Sequence, residues 1–583
     1  MSRNPFNARL LSSMLMAGAL VLTGCTDNDY DFNEIDATVG IGGDGLEIPA
    51  STTEDIKLID VLELEEDGSV VEDAITHDYV FRQTGDPIDP VRVSIDKIHV
   101  AYHSGSSIDF AFDVPSNAKG GARKAAAVVK ADADIYEFHY SGDKPDEVIS
   151  ISSAEAATTL TLNVPLTRIN SAVPTMNEMA ITLPSYLKFK VNKNSVQPTS
   201  INGSKLVFSN VSTNKDFKLI VDVTGLDFTS AVTSGSIAIG KKVDLRGVIH
   251  LTASGAITGT LTSAPTMKAG FSMDDFVINA ATGRFDPDIN LENGLGNADI
   301  TGIPDFLTDS NVKVDLYNPQ ILLTIGNDMD AEGTITGSII SKKDGKVINR
   351  IDGVKIPVGA NVQNKVCINR TGEAKAGYTV VKVPNLSDAI MTIPDNVEFT
   401  ATAKVNSEKV TTFKLGHNYY LTPSYTIEAP IAFAENAQIV YKDTIDDWND
   451  DIKDLELAEN TYISFTANVT SKVPAHLSVE AMPIGMDKKE VKGIKIEFPD
   501  GKNKVAGAAS VGEPKTSPIE IKITQTEKGA LKKLDGLTFT ISGKAQEEGQ
   551  PTLTGTTLNA QNHTLTAKDI KIKIVGKVIG DFN

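Results

Sequence analysis

Cysteine, tryptophan and histidine are all scarce in this chain: among its 583 residues, two are Cys, one is Trp and eight are His. Two thiols cannot build a disulfide framework, so stability has to come from packing. One Trp, with aromatics at only 6% of residues, leaves little surface on which sugar rings could stack. The histidines fall in no spaced metal motif. The nearest pair, His99 and His103, lies in the alternating stretch Ile98-His99-Val100-Ala101-Tyr102-His103. Four residues of strand span about 13 Å, too far for two imidazoles to share one ion. No Gly-x-Ser-x-Gly elbow is present, and 76 acidic residues offer no basis for choosing a glycosidase pair. We therefore expect a protein that is not an enzyme. Basic residues are outnumbered, 55 to 76, for a net charge of −21. That balance argues against nucleic acid as a partner and opposes docking on anionic membranes.

No apolar run reaches the roughly 20 residues that a membrane-crossing helix needs. What the N-terminus carries instead is a basic start, Arg3 and Arg9, then the uncharged run Leu10–Leu22, then Leu22-Thr23-Gly24-Cys25. A basic segment, a short apolar segment and small residues make a secretion signal. Its cleavage region resembles the lipobox of bacterial lipoproteins, which implies cleavage before Cys25 and acylation of its sulfur. The anchor, with palmitate-type chains on Cys25, follows from that resemblance. Removal of residues 1–24 takes away two arginines and no acid, leaving 53 basic against 76 acidic residues and a net charge of −23. The acidic stretch Thr26-Asp27-Asn28-Asp29-Tyr30-Asp31 is similar to the post-cysteine segment of Bacteroidetes-type surface lipoproteins. The likeness implies an outer-membrane, lipid-anchored protein facing the exterior, and it extends over about thirty residues. It assigns no family to the body of the chain.

Residues 25–50 read as a flexible tether. They contain Gly40-Ile41-Gly42-Gly43-Asp44-Gly45, which spells G-x-G-x-x-G. A dinucleotide site would need a helix opening from the last Gly; Leu46-Glu47-Ile48-Pro49 is extended and stopped by Pro. Beyond residue 50 the pattern is β throughout. Thr159–Val164, Lys218–Val223, Val248–Leu251, Ile321–Ile325, Ile519–Ile523 and Ile570–Ile574 are rich in Thr, Val and Ile, which suit a half-buried pleated surface. Residues 117–130, Ala- and Lys-rich, fit either a short helix or a loop. Helical spacing is clearest over Thr444–Leu457, where Ile445, Trp448, Ile452 and Leu455 align and Asp443 or Thr444 could cap.

The fold expected is all-β: tandem antiparallel, Ig-like β-sandwich domains with a few short helices. The expected division is 1–24 signal, 25–50 lipidated tether, 51–157 N-terminal β region, and sandwiches at 158–310, 311–460 and 461–583. A strand, a Pro-containing corner and a second strand recur near residues 160, 312 and 463, at a spacing of about 150 residues, consistent with repeat domains. Three sets of side chains stand out for binding. Asp328, Asp330 and Glu332 resemble the first half of a calcium loop, but the position where a bidentate acid should close it is Ile339. Tyr419, Tyr420 and Tyr425 could form a ligand platform. Asp446, Asp447, Asp450, Asp451 and Asp454 read first as a solvated acidic face. Cys367, in the alternating Lys365-Val366-Cys367-Ile368, reads as a strand or core thiol. Cofactors are not expected, with calcium the one alternative. The function expected is a non-catalytic cell-surface lipoprotein for adhesion, scaffolding or ligand binding, with glycan or another surface protein as partner. The alternatives are a glycan-binding protein of a polysaccharide uptake system and a fimbrial or pilus-type subunit.

Overall fold

A computed structural model describes residues 37–580 except 50–51, 62–63, 65–67, 117–126, 230–236, 240–241, 262, 292–294, 304–306, 308–310, 450–454 and 458–460. The signal, Cys25 and the acidic post-cysteine segment lie outside the described residues, as do 117–126. The protein is all-β, built of several predominantly antiparallel sheets with short 3-10 turns between them. Alternation drives the pleating. In Lys242–Ala256, Val243, Leu245, Ile249 and Leu251 are buried while Asp244, Arg246 and His250 face outward. A shift of one residue would expose the whole apolar set, so burial fixes the register.

The largest sheet has thirteen strands and holds almost everything between Ile98 and Phe285. Its longest pairing joins Lys242–Ala256 to Val128–Asp143. A second, seven-stranded sheet is centred on Gln320–Asn327 and Tyr419–Pro430, and it recruits Tyr79–Thr84 and Val70–Glu72 from the N-terminal region. A four-stranded sheet, Asn297–Asp299, Asn396–Val405, Gly333–Lys343 and Lys346–Val358, comes from the same stretch of chain. Near the C-terminus, one sheet holds Tyr462–Ser471, Lys515–Gln525 and Thr564–Gly580. Another holds Gln438–Ile445, Gly536–Lys544 and His476–Ile484. Buried apolar residues form two clusters. The larger runs from Val70 to Ala560; the smaller gathers Ile445, Ile494, Ile523, Leu537 and Phe539.

Strand pairing redraws the expected divisions. Strand Val148–Val164 runs through the 157/158 boundary, and Gln438–Ile445 pairs with Gly536–Lys544 across the 460/461 boundary. The region 51–157 is no unit of its own, because its strands are shared among three sheets. The tether is also shorter than 25–50. Ala37–Pro49 is a strand paired with the last one, Thr564–Gly580, from Ala37↔Gly580 to Pro49↔Lys571, with a bulge between Ile41 and Leu46. The pairing continues at Ile56↔Leu565. The expected helix over Thr444–Leu457 is not continuous: Thr444 and Ile445 end one strand and Leu455–Leu457 is another. Ile452 lies outside the described residues. Trp448 nevertheless packs on the smaller core, as its place on an apolar stripe implies. The third copy of the strand–corner–strand unit crosses from one sheet to the other at Val473-Pro474. In the middle copy, residues 312–319 make only single bridges, Lys313↔Gln438 and Leu316↔Phe433.

Candidate functional site

The tyrosines do not form a platform. They lie on Tyr419–Pro430, where Tyr419 and Tyr425 share the inward face and Tyr420 points outward, 39% exposed. The Tyr419 hydroxyl accepts the Lys414 N–H at 2.9 Å. Burial pushes both buried phenols up, Tyr425 well above the ordinary range.

Two of the three carboxylates of the half calcium loop, those of Asp328 and Glu332, are engaged by the protein, while Asp330 is exposed and is held through its backbone carbonyl. Glu332 accepts from Lys409 Nζ at 2.8 Å and from Asn406 Nδ2 at 3.1 Å. The Lys409 hydrogen bond holds its carboxyl below the usual range. Asp328 accepts the Tyr420 N–H at 2.7 Å, and the Asp330 carbonyl accepts from the Thr411 hydroxyl. Of the acidic cluster, Asp446 is paired with Lys488 at 2.5 Å; Asp450, Asp451 and Asp454 lie outside the described residues. His99 and His103 lie on strand Ile98–Ser107, as their alternating context implies. Cys367 is fully buried on strand Val362–Asn369, and burial pushes its thiol up, away from the reactive thiolate.

Two features escaped sequence reasoning. One is a ladder of charge on the outer face of the largest sheet. His250 approaches Asp134 at 2.8 Å through Nδ1 and Asp132 at 3.1 Å through Nε2, and His139 meets Asp244 at 3.0 Å. Ala131-Asp132-Ala133-Asp134 signals two carboxylates on one face of a strand, but the partner 116 positions away from Asp134 is not visible in a single sequence.

The other is an apolar cavity of about 190 Å³. The larger core supplies one wall, with Tyr79, Val314, Phe433 and Leu558. The sheet of Gln438–Ile445, Gly536–Lys544 and His476–Ile484 completes the lining through Leu477, Ile541 and Gly543, and through Ile439, which also packs on the larger core. In Gly536–Lys544, alternate residues Leu537 and Phe539 fill the smaller core, and the next two on that face, Ile541 and Gly543, open onto the cavity. The cavity therefore lies where one core gives way to the other. Were it closed and empty, a void of 190 Å³ would cost on the order of 4 to 5 kcal/mol.

A turn at 558–563 ties the cavity's rim to the N-terminal region. Asn559 Nδ2 donates to the Thr76 carbonyl at 2.8 Å and to Asp78 at 2.9 Å, and the Tyr79 N–H donates to the Leu558 carbonyl at 2.9 Å. His563 Nδ1 accepts the Asn559 N–H at 2.9 Å, which only the neutral ring can do. Burial pushes this imidazole below its ordinary 6.5, with Asp78 pulling more weakly the other way. The folded protein thus takes up the proton less readily than the unfolded chain. The contribution to stability is complete above about pH 6.5 and is lost as pH falls through that value toward the lower folded-state pKa. Thermal melting should show a steeper loss of midpoint between about pH 7 and 5 in the native chain than in His563→Gln. Parallel curves would rule this ring out as the source.

Comparison with known proteins gives no family. No family model matches the chain, and no curated protein matches it. Among solved structures, it is similar to a protein from Parabacteroides distasonis described as secreted, at 16% identity and a TM-score of 0.35, over 51% of this chain and 89% of that one. The adhesin domain of Epf from Streptococcus pyogenes aligns at 8% identity and a TM-score of 0.13, over 57% of this chain and 98% of that one.

Proposed function

We propose that this chain is a non-catalytic lipoprotein displayed on the outer face of the outer membrane, where it serves adhesion, scaffolding or ligand presentation. The observation that carries the reading is the Leu22-Thr23-Gly24-Cys25 sequence with its acidic follower. The pairing of Ala37–Pro49 with Thr564–Gly580 supports it mechanically. Residues 25–36 can span at most about 40 Å, so an acyl group on Cys25 would keep the sheet containing Thr564–Gly580 within about 40 Å of the membrane. No helix among the described residues is long and apolar enough to cross a membrane. Palmitate labelling should vanish in Cys25→Ala, with the protein moving to the soluble fraction, and protease shaving of intact cells should degrade the native form. Persistent labelling, or full protection from protease, would refute the anchor or its outward face.

A second reading, a fimbrial subunit assembled by strand exchange, gains support from the same pairing. Ala37–Pro49 lies at the edge of its sheet, and its partner among the described strands is the last one. Its release would uncover a row of backbone donors and acceptors on Thr564–Gly580, a template for a strand from another copy. Filaments lost from a deletion strain would favour this reading. The glycan-binding alternative draws little from the geometry, because Tyr419 and Tyr425 face inward.

A further inference from the structure

We propose that the cavity between the two cores is a binding site for an uncharged hydrocarbon group, an acyl chain or an aromatic ring of about six to ten carbons. The inference is independent of the anchor at Cys25. Three observations carry it. The lining is almost entirely carbon, drawn from Val314, Phe433, Leu477 and Ile541 among others, and so offers water too few of the two to four polar partners it needs. The volume, about 190 Å³, exceeds the roughly 150 Å³ of an apolar cavity that takes up benzene. Two of the smallest residues stand where larger ones would fill the space. A Cβ added at Gly543 would meet only the Leu477 Cδ2 at 3.4 Å and the Ala475 Cβ at 3.9 Å, ordinary van der Waals contacts. Gly543 is half-buried in a regular strand, and Ala475 is 5% exposed. Strand interiors disfavour glycine, so a glycine here that no contact requires keeps space open beside Leu477.

A ligand of this class has its apolar surface removed from water without any hydrogen bond to satisfy, which suits walls that hold no charge. A polar sugar or a cation would lose its hydration and gain nothing in return.

The test uses the full chain carrying Cys25→Ala, so that no acyl group of its own competes, with the uncharged ten-carbon fluorophore naphthalene as probe. One saturable site per chain at micromolar concentration is expected. Gly543→Ala should weaken it several-fold and Gly543→Leu at least tenfold, with melting curves confirming that each variant folds. 1-Octanol displacing the probe would identify a chain as the natural class, and toluene a ring; displacement by neither overturns the proposal. So does the absence of saturable binding, or binding that folded Gly543→Leu leaves unchanged. Should both variants unfold, crystals of the native chain under xenon decide: xenon between Leu477 and Phe433 supports the site, and its absence there refutes it.

Discussion

Arg370→Met should destabilise the protein by about 3 to 5 kcal/mol, far more than a surface ion pair would suggest. The reason is the partner, not the arginine. Asp315 is fully buried, and its carboxylate accepts from Arg370 Nη1 at 2.7 Å, Ser387 Oγ at 2.9 Å and the Asn436 N–H at 3.2 Å. Arg370 also donates to the Leu316 carbonyl at 2.7 Å. These bonds fasten the segment around Asp315 to the 3-10 turn Leu386–Ala389 and to residues 434–438, where Ala434 and Gln438 also pair with the backbone of Asp315 and Lys313. Taking away the guanidinium leaves a negative charge out of water with two neutral donors. Asp315→Asn should cost less, because Arg370 is partly exposed and can recover hydration that Asp315 cannot. Urea denaturation of the two variants checks both magnitude and order. A loss below about 1 kcal/mol for Arg370→Met would mean that the guanidinium is not what compensates the buried carboxylate.

How far the sequence disclosed this architecture varies with the range of the interaction. Lys242–Ala256 is legible because burial alternates within one strand. Ala37–Pro49 is not, since Gly40, Gly42, Gly43 and Gly45 suppress the local strand signal and the partner lies more than five hundred residues away. Tyr419 and Tyr425 could have been assigned inward from period-two alternation with Leu421 and Ile427; proximity in sequence was the wrong cue. Ile445 and Trp448 fell at helical spacing because both cover the same small core, one from a strand and one from the loop after it. Short apolar runs do not distinguish these cases. The cavity left no local trace, because its walls come from segments between Leu58 and Leu565. Asp315 likewise reads as the outward-facing acid of the alternating Val312-Lys313-Val314-Asp315-Leu316 until Arg370 is brought beside it.

Phe539→Ala should have the other large effect, about 3 to 5 kcal/mol, and it should be confined to one part of the molecule. Phe539 is 1% exposed and packs in a cluster separate from the main core, beside Ile445, Ile494, Ile523 and Leu537. A small core has few other contacts to redistribute the loss, and strands on either side keep the site from collapsing. Calorimetry should show the transition of this region moving to lower temperature while the transition of the larger core stays in place. A single transition that shifts as a whole would mean that the two clusters melt as one cooperative unit. The same variant bears on the cavity. Phe539 precedes Ile541 and Gly543 on one face of one strand, so loosening the smaller core disturbs a strand that lines the cavity. Binding of the naphthalene probe should therefore weaken in Phe539→Ala at temperatures where the larger core is still intact, although the substituted residue does not line the cavity.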